Sequence, residues 1–177
     1  VGRLEFVSGD HTGANAAGSA CAPCCRRSSI GPLIGVLPDT AEDDAVAAVL
    51  AEQMALPLLA VATRPAKLPA QQLVIRVCEG VSGLQITGPR APGFVPVGFE
   101  QQRLARRRHA GHNELLGKAV GWREQRHPRV IDATAGYGID AFLLADLGCS
   151  VLLCERSPVM AVLLERALLR ARSSDSS

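Results

Sequence analysis

The chain has 177 residues, of which 47% are hydrophobic, and its 19 Lys and Arg residues against 17 Asp and Glu residues give a net charge of +2. This length and apolar fraction predict one globular domain or two small ones, and they exclude a chain that is disordered throughout. The sequence shows no bilayer-length apolar run and no signal-peptide pattern, so we expect a cytoplasmic protein whose cysteines are free thiols in a reducing compartment.

Residues 1–29 are rich in Gly, Ala and Ser and follow neither helical nor strand periodicity, which predicts a disordered leader. The leader contains the cluster Cys21-Ala22-Pro23-Cys24-Cys25. A zinc site needs a second pair of ligands, and the nearest later candidates, Cys78 and His109, belong to other elements. We therefore predict no metal, and the alternative to a disordered leader is a segment outside the domain altogether.

Residues 30–98 predict a small α+β domain. Thr40 is the expected N-cap of a helix from residue 41 to about residue 54, because acids fill its first turn and apolar residues follow at helical spacing. A strand is predicted over residues 56–62, and a hairpin over residues 72–78 and 83–88, with Gly80 in its turn. No cluster of residues in this domain is suited to catalysis.

Residues 99–128 predict a basic connecting helix region. Its cationic residues outnumber its three acids, and they are Arg103, Arg106, Arg107, Arg108, His109, His112, Lys118, Arg123 and Arg126. Two interpretations remain open: a solvated helix face, or a stripe that contacts a phosphate backbone through RNA-binding residues Arg106, Arg107, Arg108 and Lys118. The apolar face of the same segment includes Trp122, which we interpret as a packing residue.

Residues 129–155 predict a strand, a small-residue turn, a helix and a second strand. The first strand ends at Asp132, the turn contains Gly136 and Gly138, and the helix from residue 139 to about residue 147 ends at Gly148. The second strand is followed by Glu155. This pattern predicts a βαβ unit with a nucleotide-sized binding turn.

The acids of this unit indicate which ligand it holds. A dinucleotide fingerprint needs a third glycine where the chain has Ala141, and Asp132 would repel a pyrophosphate. An acid at that position instead suits the cationic amino-acid part of S-adenosylmethionine (SAM), and Glu155 is placed to accept hydrogen bonds from the ribose. The alternatives are that Asp132 only caps the turn while Glu155 pairs with Arg156, or that the chain is a nicotinamide oxidoreductase, for which no hydride-handling residue pair is evident.

The run from Asp132 to Ala145, the step Leu147-Gly148-Cys149 and the block Glu155-Arg156-Ser157-Pro158-Val159 resemble the RsmJ (YhiQ) family of 16S ribosomal RNA guanine-N2 methyltransferases. The resemblance spans roughly residues 98–171, with a looser match back to residue 30. It implies an enzyme that transfers a methyl group from SAM to the N2 amine of a guanine in 16S rRNA, with this RNA or the small ribosomal subunit as partner. The cofactor-binding candidates are Asp132, Ala133, Gly136, Gly138, Ile139, Asp140, Glu155 and Arg156.

The fold class that follows is α/β: the N-terminal half of a Rossmann-like SAM methyltransferase sheet, preceded by the small α+β domain. We expect residues 129–177 to form a truncated SAM-binding domain, because the chain ends in a polar tail after a helix over residues 159–171. The family orients the target amine with an Asp-Pro motif, and no Asp-Pro pair occurs in this sequence. No catalytic residue is assigned, and an inactive SAM- or RNA-binding remnant is the alternative function. With so short a sheet, Leu152, Leu153, Leu163, Leu164 and Leu168 are expected to be partly exposed.

Overall fold

The computed structural model describes residues 4–6, 32–99 and 112–174. The chain divides into two compact units, one formed by Asp10–Pro96 and the other by Val1–Gly9 together with Val97–Ser177. Within the described ranges, no helix is both long enough and apolar enough to cross a membrane. The cysteine cluster at residues 21–25, the arginines at positions 106–108 and the rest of the predicted leader beyond residues 4–6 lie outside the described residues.

The described strands and helices have the following order along the chain. In order they are β1 (Leu4–Phe6), β2 (Leu33–Pro38), α1 (Asp44–Gln53), β3 (Leu73–Cys78), β4 (Val81–Ile86), β5 (Val95–Pro96), α2 (His112–Ala119), β6 (Arg129–Asp132), α3 (Ile139–Asp146), β7 (Ser150–Leu153) and α4 (Pro158–Ser174).

The unit Asp10–Pro96 is a four-stranded sheet in the order β2-β3-β4-β5, in which β2 and β3 are parallel and the other pairs are antiparallel. Helix α1 follows a 3-10 turn, Ala41–Asp43. The buried carboxylate of Asp43 accepts hydrogen bonds from the Thr40 backbone and hydroxyl, and at 2.8 Å from the Gly80 backbone N–H. The predicted helix and hairpin are therefore confirmed, and Asp43 joins the start of one to the turn of the other.

The predicted strand over residues 56–62 is wrong. Among the described residues, its one sheet contact is an isolated bridge between Val36 and Leu58. In this bridge the Leu59 backbone N–H donates to Val36 O at 2.8 Å, and the Val36 N–H donates to Pro57 O at 2.9 Å. Pro57 has no N–H to donate to a ladder, and the Thr63 N–H closes a turn onto Ala60 O. The apolar segment 56–62 therefore contacts the edge of β2 at a single bridge and then turns away from the strand.

The unit that contains Val97–Ser177 has a three-stranded parallel sheet in the order β1-β7-β6. Its core packs the sheet against α3 and α4 through Ala135, Ala141, Leu144, Cys149, Val151, Leu153, Leu164 and Leu168. Ser157 precedes α4 and Pro158 is its first residue, the order expected at a helix start. The predicted βαβ unit is confirmed.

Strand β1 corrects the predicted disordered leader at residues 4–6, the part of it that the structure describes. Leu4 lies beside Val151 in parallel register, and the Arg172 side chain donates to the Leu4 carbonyl at 3.3 Å. A three-residue strand is too short to show a period of two, so its sequence carries no recognisable strand pattern.

The prediction of partly exposed leucines is also wrong for most of them. Leu153, Leu163, Leu164 and Leu168 are buried, because α3 and α4 both cover the same face of the sheet. The opposite face of the sheet shows Ile131, which is 67% exposed, and the half-buried Leu152. Exposure therefore falls on alternate strand residues, while the helix leucines Leu163, Leu164 and Leu168 are buried.

An ion pair at the ends of β2 and β3 lies in the unit Asp10–Pro96. The Asp39 carboxylate accepts hydrogen bonds from the Arg76 guanidinium and, at 3.2 Å, from the Cys78 thiol. The Arg76 hydrogen bond, followed by that of Cys78, holds the pKa of Asp39 below its ordinary value. Burial, together with the neighbouring Asp39, raises the pKa of the Cys78 thiol, which therefore stays a neutral donor.

Because of this ion pair, the stability of the unit falls at acidic pH. The unfolded chain takes up the Asp39 proton near pH 4, before the folded chain does, so the stabilisation is complete above about pH 5 and is lost as the pH falls through the lowered native pKa. We expect Asp39→Asn to flatten this acid-induced loss, measured by urea denaturation followed by circular dichroism from pH 7 to pH 3. Asp44→Asn, which removes an exposed acid of the same unit, is the matched control. An unchanged pH dependence in Asp39→Asn would contradict the assignment.

Candidate functional site

The turn between β6 and α3 is fixed to the end of β7 by backbone hydrogen bonds. The Cys154 N–H donates to Asp132 O at 2.8 Å, and the Ala135 N–H donates to Cys154 O at 3.0 Å. Within the turn, the Thr134 N–H donates to the Asp132 carboxylate at 3.1 Å and the Gly138 N–H to Ala135 O at 2.7 Å. The carboxyl ends of two parallel strands therefore present their loops side by side, where ligands of such sheets bind.

Glu155 joins the two loops through its carboxylate. Oε2 accepts a hydrogen bond of 2.8 Å from the Gly136 N–H, and Oε1 accepts one of 2.7 Å from the Ser157 N–H. The described residues show no ion pair between Glu155 and the exposed Arg156. The Glu155–Arg156 ion pair considered from the sequence is thus replaced by hydrogen bonds from backbone N–H groups. These bonds orient the carboxylate, whose oxygens keep further lone pairs that can accept hydrogen bonds.

The two glycines of the turn have different roles. Gly136 has a φ of +51° and lines the open side of the turn. Gly138 has a φ of +69° and is buried, and a Cβ atom there would lie 2.6 Å from Leu164 Cδ1 and 3.1 Å from Phe99 Cζ. Phe99 in turn stacks on Phe142 with ring centroids 5.0 Å apart. Gly138 therefore allows close packing beneath the turn, while Gly136 lies on the open side.

The N-terminus of α3 faces the same space. Its N-cap residue Gly138 provides no side-chain hydrogen bond, and the Phe142 N–H makes the first bond of the helix ladder, to Gly138 O at 2.9 Å. The N–H groups of residues 139–141 precede that bond, so they have no acceptor inside the helix. Together with the helix dipole, such groups favour an anionic ligand.

An open cleft of about 440 Å³ borders this helix end. Its walls are mainly apolar, with two carboxylates, a threonine and a tyrosine at the turn, a composition that suits a small organic ligand. The lining residues are Leu116, Val120, Val130, Ile131, Asp132, Thr134, Ala135, Gly136, Tyr137, Ile139, Asp140 and Leu144.

The structure places four of the predicted cofactor residues, Asp132, Gly136, Ile139 and Asp140, along this cleft. Ala133 and Arg156 are exposed outside it, and Gly138 is buried. Glu155 does not line the cleft, but it accepts a hydrogen bond from Gly136, which does. Lys118, the one predicted RNA-binding residue within the described part of the chain, is exposed in the last turn of α2.

The sequence reasoning missed two cleft residues with polar side chains, Thr134 and Tyr137. Tyr137 stands between the two glycines and is 38% exposed. An aromatic residue between two turn glycines could have been used as a signal of a binding residue. A side chain with a packing role needs a helix or strand to pack against, and a tight turn does not provide one.

Trp122 is a packing residue, as its position on the apolar face indicates. Its indole N–H donates to Leu147 O at 2.7 Å, and the His127 ring lies edge-on with centroids 6.5 Å apart. Among the described residues, no group of three or more His, Cys, Asp or Glu side chains is arranged to hold a metal ion.

Comparisons with known proteins agree with this geometry. Residues 64–177 match the model of a family described as putative SAM-dependent methyltransferase. The chain is 44% identical over 126 residues to ribosomal RNA small subunit methyltransferase J of Pseudomonas paraeruginosa, covering 69% of this chain and 45% of the relative. It is 43% identical over 145 residues to the protein of that name in Alkalilimnicola ehrlichii, covering 81% and 53%.

A solved structure, that of a SAM-dependent methyltransferase from Neisseria gonorrhoeae, matches with a TM-score of 0.53 at 33% identity over 77% of this chain and 52% of that one. This neighbour confirms the predicted α/β methyltransferase fold. The chain spans about half the length of the curated relatives that it matches.

The buried Gly138 gives a test of the packing beneath the turn. Gly138→Ala combines the strain of a positive φ with a clash against Leu164, so we expect a loss of about 2–4 kcal/mol in unfolding free energy. Gly121→Ala isolates the first effect, because Gly121 has a φ of +73° and no atom within 4 Å of its Cβ position, and it should cost about 1 kcal/mol. Denaturation followed by fluorescence of Trp122, the chain's one tryptophan, measures both. Equal losses would show that Leu164 and Phe99 simply move aside.

Proposed function

Because this chain belongs to the family of putative SAM-dependent methyltransferases, we propose that it binds SAM around the Asp132–Asp140 turn. We further propose that it forms the cofactor-binding part of an enzyme that methylates the N2 amine of a guanine in 16S rRNA. The observation that carries the proposal is the grouping of two acids and an uncapped helix N-terminus about one glycine turn.

The methionine part of SAM carries an ammonium and a carboxylate, and the turn offers a partner of opposite sign for each. The Asp132 carboxylate, held by the Thr134 N–H, lines the cleft and can accept hydrogen bonds from the ammonium. The first-turn amides of α3, at Ile139 and Asp140, suit the carboxylate. A dinucleotide would instead bring a pyrophosphate against Asp132, which is unfavourable by charge.

The ribose part of SAM fits Glu155. Both oxygens of this carboxylate are already oriented by backbone N–H donors, so it can accept hydrogen bonds from a diol without first losing side-chain entropy. Arg156 is exposed beside it, and the resemblance matches that position to a cofactor contact.

When bound, SAM supplies an electrophilic methyl group on a sulfonium, which the acceptor nitrogen attacks as the carbon–sulfur bond breaks and the nitrogen loses a proton. The protein's task is chiefly to hold nitrogen, carbon and sulfur in line. Asp132 and the start of α3 would fix the methionine arm, and the apolar residues Leu116 and Val120 of the cleft wall would exclude water from it.

The RNA partner is proposed from the printed names of the relatives and from charge. The relatives are named as small subunit ribosomal RNA methyltransferases. Lys118 is exposed on α2, the helix whose Leu116 lines the cleft. We propose that Lys118 contacts the RNA backbone together with Arg106, Arg107 and Arg108, and that the protein acts in the cytoplasm, where ribosomal subunits are assembled.

Calorimetric titration with SAM tests the cofactor proposal. Asp132→Asn keeps an acceptor for the Thr134 N–H but removes the charge, so we expect SAM affinity to fall about 10-fold or more. Glu165→Gln, at an exposed site on α4 away from the cleft, is the matched control and should bind as the wild-type chain does. Absence of heat with the wild-type chain would sink the proposal.

A second candidate function for these 177 residues is binding of SAM or RNA without catalysis, and it is favoured because no Asp-Pro pair occurs among them. Tritiated methyl transfer from SAM to 16S rRNA that lacks its guanine methylation separates the two. For the 177-residue chain assayed alone we expect no transfer above background, with the Pseudomonas paraeruginosa relative as positive control. Incorporation of label by this chain would reject the remnant and show that another residue orients the amine.

A further inference from the structure

Strand β1 lies at a position in the sheet that its place in the chain does not explain. The sheet has the order β1-β7-β6 and all its strands are parallel, so β1 is hydrogen-bonded to the outer edge of β7. In the chain, however, β1 is followed by β2, which belongs to the sheet of the other unit. The element that follows β7 in the chain is the helix α4. The neighbour of β1 in space is therefore not its neighbour in sequence.

The path of the chain from β6 to α4 indicates which strand belongs at this edge. β6, α3 and β7 form one parallel connection, and connections of this kind are almost always right-handed. Helix α4 covers the same face of the sheet as α3, because Leu144 of α3 and Leu164 of α4 belong to one core with Val151 of β7. A right-handed connection that leaves β7 through a helix on that face reaches the edge of β7 opposite β6. That edge is the one that β1 occupies.

The end of α4 lies beside the start of β1. Arg172, in the last turn of α4, donates to the Leu4 carbonyl at 3.3 Å. Leu4 is the first residue of β1 and packs against the core that α4 helps to form. If Ser177 were joined to Val1, six residues would connect the end of α4 to β1, and six residues span up to about 20 Å when extended. Connections of this length are common between the helices and strands of parallel sheets.

From these observations we propose that the outer edge of β7 is a docking site for one strand and that its occupant is the segment of residues 1–9. This segment takes the place of the strand after α4, although it precedes β2 in the chain, so the sheet is a βαβαβ unit in permuted order. Phe6 pairs with Leu153, two residues before Glu155, so the docked strand also secures the strand that leads to Glu155. The role at Glu155 rests on the proposed function, and the permuted order does not.

Amide hydrogen exchange of the full chain, followed by NMR, tests the docking. The Cys154 N–H points to β6, and N–H groups alternate in direction along a strand, so those of Val151 and Leu153 point to β1 and that of Leu152 points to β6. Leu4→Asp places a charge against the core, and we expect exchange at Val151 and Leu153 to become about 10-fold faster. Exchange at Leu152 should stay within about twofold of the wild-type chain, because β6 remains paired.

Leu4→Met is the matched control for this substitution. It keeps an apolar side chain of similar volume, so all three amides should exchange within about twofold of the wild-type rates. Equal acceleration of all three amides in Leu4→Asp would show a general loss of stability, and unchanged exchange would show that β1 is not docked. Either result overturns the proposal.

A circular permutant tests the order of the elements. It contains all 177 residues, begins at Asp10 and continues from Ser177 directly into the segment of residues 1–9. We expect it to fold, with exchange at Val151 and Leu153 as slow as in the natural order or slower, because a shorter connection costs less entropy to close. The same permutant with Leu4→Asp is the control and should lose this protection. A permutant that does not fold, or that exchanges as fast as its Leu4→Asp control, would reject the permuted order.

Calorimetric titration with SAM separates this inference from the proposed function. Only the docked state keeps the strand that leads to Glu155 in place, so we expect Leu4→Asp to weaken SAM binding about threefold or more. Leu4→Met and the circular permutant should bind SAM within about twofold of the wild-type chain for the same reason. Unchanged SAM affinity in Leu4→Asp would overturn the role of β1 at Glu155. Failure of the wild-type chain to bind SAM would instead sink the proposed function and leave the exchange experiments as the test of β1.

Discussion

The geometry of the candidate site depends on one carboxylate. Strands β6 and β7 end side by side, but each is followed by a loop that leads into a different helix. Glu155 accepts a hydrogen bond from each loop, at Gly136 and at Ser157, so one side chain links the loop before α3 to the loop before α4. Hydrogen bonds to a charged carboxylate are stronger than those between neutral groups. These two bonds also satisfy backbone N–H donors that would otherwise lack an acceptor in the loops.

The same turn brings two kinds of chemistry together. Glu155 is a carboxylate with fixed orientation, suited to hydroxyl donors, and the turn also borders a cleft with Asp132 and a helix N-terminus at its edge. The proposed ligand SAM has a partner for each, because its ribose carries hydroxyls and its methionine part carries an ammonium and a carboxylate. The grouping explains why a sequence without the third glycine of a dinucleotide fingerprint still has a nucleoside site.

Much of this arrangement follows from local sequence. Thr40 and the apolar spacing predict α1, and the strand ends at Asp132 and Glu155 follow from short β-branched or leucine-rich runs that stop at an acid. The predicted strand over residues 56–62 does not form, because Pro57 has no backbone N–H to donate to a neighbouring strand. Strand β1 was missed because three residues cannot show the two-residue alternation of a strand. The burial of Gly138 could not be predicted, since it depends on Leu164 and Phe99, which are distant in sequence.

The contact between Gly138 and Leu164 carries an evolutionary consequence. The space that a Cβ atom would need at position 138 is filled by the Leu164 side chain from α4. A smaller residue at position 164 would free that space, so a side chain at position 138, already strained by its positive φ, needs a change at position 164 as well. Divergence among related sequences should therefore show correlated exchange between the glycine turn and a helix that makes no contact with the cleft.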